Sequence, residues 1–328
     1  MSEFVMVVGL PACGKTTWAN NQSGYVVLSS DSVRKELYGN ESIQGDANKV
    51  FEIMQRRAVE CLRNEQSVIY DATNLSGKRR RHMLDRIRDI AEVTTKCEVF
   101  ATPIEICKAR NTARKRVVPD YVYDKMLRQY NVPQYFEGWN EIEIIWDIAF
   151  GQWEYPPRPD SLEIMAFDQS NSHHDMTLGE HLLAARDYLY DMSRSAPNPK
   201  LARKYEYLAG VALRHDIGKY YTKDFHDSHG KISADAHYYG HENYGTYIYL
   251  LSVLEFCETY DTSYEKRMLD KSFLEIAGLI NWHMRPFAWE KSDRAKQKDR
   301  TLIGEDMYND LMLLHEADIH AKKRCEVH

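Results

Sequence analysis

The sequence predicts a doubly wound parallel α/β sheet over residues 1–152, followed by an all-α unit over residues 160–328. Three observations carry this expectation. Short runs rich in valine and isoleucine alternate with helical periods as far as Trp146, the pattern of repeated βαβ units. The stretch Gln152–Pro159 (QWEYPPRP) holds three of the ten prolines, so it propagates neither a helix nor an inner strand and marks a boundary. Beyond it, apolar residues recur at helical spacing and strand-like runs are scarce.

In the first unit, Phe4–Val8 is a buried-strand run that enters Gly9-Leu10-Pro11-Ala12-Cys13-Gly14-Lys15-Thr16, a full GxxxxGK[ST] match followed by Thr17. The backbone N–H groups of such a loop and the N-terminus of the next helix cradle phosphate oxygens. Lys15 then reaches the β and γ phosphates and the Thr16 hydroxyl holds Mg²⁺, so ATP or another NTP is the expected cofactor. Tyr25–Leu28 is a second strand, ending at Ser29-Ser30-Asp31. Carboxyl ends of strands line the ligand crevice in open α/β sheets, so Asp31 is expected to face the nucleotide. Asp31 and Arg34 stand one helical turn apart, spaced for a general base beside a phosphate-steadying guanidinium; an N-cap aspartate with an exposed arginine is the plainer alternative.

A helical period follows over 48–64, then a strand at Ser67–Tyr70 ending in Asp71, a second carboxylate able to position the acceptor or the metal. Ser76–Ile90 reads as a helix, Val93–Phe100 as a fourth strand, Pro103–Arg116 as a basic helical segment and Glu141–Trp146 as the last strand. Lys78–Arg81 and Lys108–Arg116 are basic clusters in a chain of net charge −6; each taken alone reads as a solvated helix face.

The strings GLPACGKTT, SSDSVR, YDATN and ARNTARKRVVP resemble the 5′-polynucleotide kinases, a P-loop kinase family, over nearly all of residues 1–150. The resemblance implies that Asp31 deprotonates a 5′-OH, that Arg34 contacts the scissile phosphate and that Arg110 and Arg114 clamp the donor from a lid. The lid looks slightly shorter than the family pattern, which makes Arg116 a competitor of Arg114.

The chemistry of the second unit lies in its histidines. His181 adjoins an apolar stripe over Leu178–Tyr190; His215-Asp216 follows a helix at Tyr205–Leu213; His241 opens a third helix, His283 closes a fourth and Asp318 lies on a fifth. Imidazole and carboxylate together suit borderline transition ions such as Mn²⁺, Co²⁺, Ni²⁺ or Fe²⁺. The order H…HD…H…H…D, with the strings HDIGK and YYGHE, resembles the HD phosphohydrolase superfamily over about residues 165–328. That resemblance implies a metal-binding quartet of His181, His215, Asp216 and Asp318, with Asp216 catalytic, and further ligands His241 and His283 for members that hold two ions. Lys219 and Arg285 are candidate phosphate clamps; His174 and His237 are candidate acids or phosphate ligands.

The pair of units resembles the bifunctional end-healing enzymes that phosphorylate 5′-OH ends of RNA or DNA and remove a 3′-phosphate, in some cases opening a 2′,3′-cyclic phosphate first. That implies nucleic-acid ends as substrates and a ligase in the same pathway. A small-molecule kinase fused to a nucleotidase is the alternative, and an ATP-gated regulatory module a third; an acceptor base at Asp31 is needless in the last. The chain enters a strand at once, has no apolar run long enough to span a bilayer and scatters six cysteines without a CxxC pair. A cytoplasmic protein with reduced thiols, no signal peptide and no membrane segment is expected.

Overall fold

The structure is a computed structural model that describes residues 2–146, 156–157, 159–172, 175–253 and 263–322, with side chains of the helix beginning at 263 described from 270. Residues 152–155 and 158 of the expected boundary, His174, Cys257 and Cys325 lie outside the described residues. The chain divides into two compact units. One comprises Met1–Met126, Pro133–Glu154 and Phe256–Ser272, the other Leu127–Val132, Tyr155–Glu255 and Phe273–His328.

The first unit is built on five parallel strands in the order β2-β3-β1-β4-β5. They are β1 (Ser2–Val8), β2 (Tyr25–Ser29), β3 (Ser67–Asp71), β4 (Val93–Ala101) and β5 (Glu141–Trp146). β1 is central, with Met6 opposite Tyr70 on one side and Cys97 on the other. Phe4, Val7 and Val8 are fully buried, which explains why the run is continuously apolar instead of alternating. Helices α1 (Lys15–Asn20), α2 (Ser30–Tyr38), α3 (Ala47–Arg63), α4 (Gly77–Ile87), α5 (Ile104–Thr112) and α6 (Asp120–Leu127) connect and follow the strands. Along α3, Val50, Met54, Ala58 and Leu62 are buried at helical spacing. The edge of the sheet is closed at β5, where the fully buried Asp270 accepts a hydrogen bond from Ile144 N at 3.1 Å.

Within the Lys78–Arg81 cluster, Lys78 and Arg79 are exposed as expected, and Arg80 alone among these four is buried. Arg80 is buried, with Nε and Nη2 donating to both oxygens of Glu137 at 2.8 and 2.6 Å and Nη1 donating to Asn74 O. A paired, fully hydrogen-bonded guanidinium is one of the few ways a charge enters a core.

The second unit is mostly helical: α7 (Leu162–Met165), α8 (Leu178–Arg194), α9 (Pro199–Ala212), α10 (Lys219–Thr222), α11 (His241–Ser252), α12 (Ser263–Trp282), which begins within the first unit's residues, α13 (Arg285–Trp289) and α14 (Asp293–His320). α8 opens with a reciprocal capping box between Thr177 and Glu180. α14 breaks its helical geometry at Gly304, whose φ of 82° a residue with a side chain rarely adopts. The expectation of an all-α unit is corrected by an antiparallel hairpin, β6 (Asp224–His226) with β7 (Ile232–His237). Its turn is set locally: Asp227 Oδ1 accepts from His229 N and Lys231 N, and Gly230 takes φ 79°. The two strands are short and almost without full burial, so they leave no apolar run to read.

Candidate functional site

The loop after β1 opens a cleft of about 1050 Å³ at the carboxyl ends of the strands. Ala12 and Gly14 take left-handed φ values of 61° and 100°, which turn the loop around its own centre. Gly9 has no room for a side chain, since a Cβ there would lie 2.7 Å from Cys13 Sγ and 2.9 Å from Phe100 Cβ. Thr102 braces the loop from below, its hydroxyl donating to Cys13 O at 3.1 Å. Lys15 Nζ donates to Gly9 O and Leu10 O at 3.1 and 2.5 Å and lies 3.3 Å from Cys13 Sγ. Cys13, Gly14, Thr16 and Thr17 line the cleft.

Two carboxylates from neighbouring strand ends face this cleft. Asp71, at the end of β3, accepts from the Thr16 hydroxyl at 2.7 Å, and burial pushes its pKa up against the lowering effect of that bond. Asp31 lies in the first turn of α2, and the cap of that helix is Ser29, whose hydroxyl accepts from Asp31 N at 3.3 Å. The capping role is therefore taken, and the Asp31 side chain turns to arginines. Arg34 Nη1 stands 3.0 Å from Asp31 Oδ1, and Arg116 Nη1 approaches the same oxygen at 3.4 Å while donating to Glu41 O at 3.1 Å.

Arg110, Arg114 and Arg116 all line the cleft. Arg110 stands in the last turn of α5; Arg114 and Arg116 belong to the loop that follows. Asn111, which no sequence motif marks, holds that loop. The residue is buried, its amide donates to Val118 O at 2.7 Å and its carbonyl accepts from Val118 N at 3.0 Å. An asparagine inside a basic run carries no local mark of burial, because its partner lies seven residues on, beyond the helix end.

In the second unit the structure gathers all six residues selected as ligands. His181, His215, Asp216 and Asp318 form one group, and Asp216, His241 and His283 a second, with the donor atoms of each group within 4.8 Å of one another. Five segments deliver them: α8, the turn after α9, the first residue of α11, the residue after α12, and the last turns of α14. Asp216 serves both groups. Its Oδ2 lies 3.3 Å from His181 Nε2 and 3.5 Å from His215 Nε2, its Oδ1 3.0 Å from His241 Nε2 and 3.2 Å from His283 Nε2. Asp318 Oδ1 completes the first group at 3.3 Å from His181 Nε2.

The other nitrogen of every histidine faces a backbone carbonyl. Nδ1 lies 3.0 Å from Ala321 O in His181, 2.7 Å from Ala212 O in His215, 2.8 Å from Tyr238 O in His241 and 2.8 Å from Ile280 O in His283. A carbonyl only accepts, so Nδ1 carries the proton and a neutral ring presents a lone pair at Nε2. Those lone pairs meet: His181 and His215 Nε2 stand 3.4 Å apart, His241 and His283 Nε2 3.2 Å apart. Such a buried arrangement calls for positive charge between the rings, and imidazole nitrogen with carboxylate oxygen fits a transition ion. With protein groups alone a proton supplies that charge at His181. Burial lowers its pKa, the Asp216 and Asp318 carboxylates raise it, and the net value is about 9. Against the same burial, Lys219 and His215 hold the Asp216 carboxyl well below its usual range.

Lys219 Nζ lies 2.6 Å from Asp216 Oδ2 and donates to Gln169 Oε1 at 3.1 Å. Gln169 is almost fully buried, and no motif in the sequence around it marks it as a partner of Lys219. Arg285 donates through Nε to Asp299 Oδ2 at 2.9 Å and also lies over the Trp282 ring. His237 stacks on Tyr239.

Comparison with known proteins gives partial similarities. Residues 4–133 match the family described as an AAA domain. The bifunctional polynucleotide phosphatase/kinase of Schizosaccharomyces pombe is 25% identical over 146 residues, covering 43% of this chain and 33% of that protein. The L-seryl-tRNA(Sec) kinase of Methanococcus maripaludis is 24% identical over 164 residues, covering 44% of this chain and 58% of that one. The chain thus spans about a third and somewhat over half of the lengths of these two relatives. A solved chain from the Pnkp1/Rnl/Hen1 RNA repair complex aligns at 22% identity and TM-score 0.34, over 39% of this chain and 43% of that one. Residues 4–133 thus resemble a P-loop phosphotransferase domain, and the chain is similar in part to a polynucleotide phosphatase/kinase and to a tRNA kinase.

Proposed function

We propose that the protein heals nucleic-acid ends, phosphorylating a 5′-OH in the first unit and removing a 3′-phosphate in the second. The reading is carried by one observation, the presence in one chain of a phosphotransfer cleft with Asp31 set between arginines and a six-residue His/Asp cluster in which Asp216 turns one oxygen to each histidine pair. In the cleft, the loop amides and Lys15 would hold the donor phosphates of an NTP, and Thr16 with Asp71 would hold the Mg²⁺ that offsets phosphate charge. Asp31 takes the proton of the attacking 5′-OH as the γ-phosphoryl transfers to that oxygen, leaving NDP. Arg34 and the arginines of the 110–116 segment offset charge on the transferring group.

In the second unit, which resembles HD phosphohydrolases, His181, His215, Asp216 and Asp318 would hold one transition ion, and Asp216, His241 and His283 a second. Such ions supply the Lewis acidity that activates water and neutralises phosphate oxygens. The chain's own contribution is to fix the tautomer of four histidines through backbone carbonyls and to place Lys219 beside Asp216. The products, a 5′-phosphate and a 3′-OH, are the ends that a ligase joins. No helix among the described residues is long and apolar enough to cross a membrane.

The test is an end-labelling assay on an oligonucleotide with a 5′-OH and a 3′-phosphate, with ATP, Mg²⁺ and Mn²⁺ or Ni²⁺. Both ends should change. Lys15→Ala should abolish labelling of the 5′ end and keep phosphate release, and Asp216→Ala should do the reverse. An enzyme that leaves both ends intact but phosphorylates free nucleosides would establish the small-molecule alternative instead. The similarity to a tRNA kinase makes charged tRNA a further acceptor to include.

A further inference from the structure

The segment between the hairpin and the metal-ligand cluster carries an aromatic residue that neither the fold nor the reaction above has used. Tyr239 is 47% exposed, and its ring lies parallel to that of His237, centroids 5.3 Å apart and planes 9° apart. A single exposed tyrosine is ordinary on a protein surface. Three features set this one apart.

The first is its rigid support. Arg128 Nη1 donates to Tyr239 O at 2.9 Å and to Thr222 O at 3.3 Å, so one guanidinium pins the backbone behind the ring. Gly240 follows at φ 75°, and a Cβ there would lie 2.5 Å from Arg128 O, so the chain turns tightly against the same residue. The preceding Tyr238 is held as well, its hydroxyl donating to Gln169 O and its carbonyl receiving both His241 N and His241 Nδ1. The second feature is position. Two peptide links separate Tyr239 from the ligand His241, at most about 7.6 Å between α-carbons and the scale of one nucleotide. The third is the stack itself, which backs one side of the ring and orients its plane before any ligand arrives.

We propose that Tyr239, backed by His237, is the stacking platform for the terminal nucleobase of the strand whose 3′-phosphate enters the His/Asp cluster. The inference rests on the end-healing reading and deepens it, naming what the second unit recognises beyond the phosphate. Stacking on an aromatic face is tolerant of base identity, which suits an enzyme that meets ends of any sequence. It also tells a nucleotide end from an aliphatic phosphate monoester, which has nothing to lay on the ring.

The experiment compares the full chain with Tyr239→Ala, Tyr239→Phe and Tyr239→Trp, loaded with Mn²⁺, on a 3′-phosphorylated oligonucleotide and on glycerol phosphate. Tyr239→Ala should raise KM for the oligonucleotide relative to that for glycerol phosphate by roughly ten-fold or more, the range expected for loss of one base–aromatic stack. Phe and Trp should restore the wild-type ratio. An oligonucleotide whose last nucleotide lacks its base should not distinguish the variants. A binding readout is independent of turnover: without NTP, a 3′-OH oligonucleotide ending in 2-aminopurine should be quenched by wild type and much less by Tyr239→Ala. An unchanged KM ratio in Tyr239→Ala, with wild type active on the oligonucleotide, overturns the platform and leaves the end-healing reading standing. Wild type that releases phosphate from glycerol phosphate but never from the oligonucleotide overturns both.

Discussion

At the residue scale, the proposed phosphoryl transfer turns on Asp31. The sequence left it divided between a helix cap and a base, because both uses place an aspartate before a helix. The structure gives the cap to Ser29 and turns the Asp31 carboxylate to Arg34 and Arg116. Asp31→Asn keeps the shape of the side chain and loses its basicity. It should lower kcat by about a hundred- to ten-thousand-fold with ATP affinity nearly unchanged. Because the cap is elsewhere, the melting temperature should hardly move. Steady-state kinetics beside nucleotide titration would check both halves, and an active Asp31→Asn enzyme would pass the role to Asp71.

At the scale of elements, the second site depends on how closely α11 approaches the turn that bears His215 and Asp216. Gly218 makes that approach possible: a Cβ there would fall 2.0 Å from His241 O and 2.7 Å from Gly245 N, both backbone atoms that no rotamer change relieves. Gly218→Ala should therefore destabilise the unit by about 3 kcal/mol and displace His241 from its partners, lowering metal content as well. Gly210→Ala, inside α9 with nothing within 4 Å of its Cβ position, is the control; it should stabilise by about 0.5–1 kcal/mol. Thermal melts of the two variants with metal analysis would read the contrast. The convergence of the six His/Asp residues was legible because each histidine sits in a short string of its own beside a helix end. The close approaches and long-range pairings that hold the two units were not. Nothing near Gly218 announces a helix packed against it, Glu137 lies 57 residues from the arginine it neutralises, and Asp270 meets Ile144 N across 126 residues. Parallel strands were readable for the opposite reason: burial on both faces makes them continuous apolar runs, whereas the exposed hairpin strands left no such trace.

At the scale of the whole molecule, the two units have separate sets of buried residues and separate sites, though the chain passes between them more than once. Leu127–Val132 belong with the second unit and Phe256–Ser272 with the first, so no single cut in the sequence releases both intact. Ligands, by contrast, should report on each unit alone, since a molecule that binds only a folded site stabilises that site by mass action. A nonhydrolysable ATP analogue with Mg²⁺ should raise the melting transition of the P-loop unit, and Lys15→Ala should abolish that rise. Mn²⁺ or Ni²⁺ at low concentration should raise the transition of the helical unit, and Asp216→Ala should abolish that one. At a hundred times the dissociation constant each gain is about 2.7 kcal/mol, enough to move a domain of this size by several degrees. Calorimetry of the full chain with each ligand, and with both, would separate the cases. Two transitions moved one at a time mean that each site reports on its own unit; one transition moved equally by either ligand means that the crossing segments bind the units into a single cooperative fold.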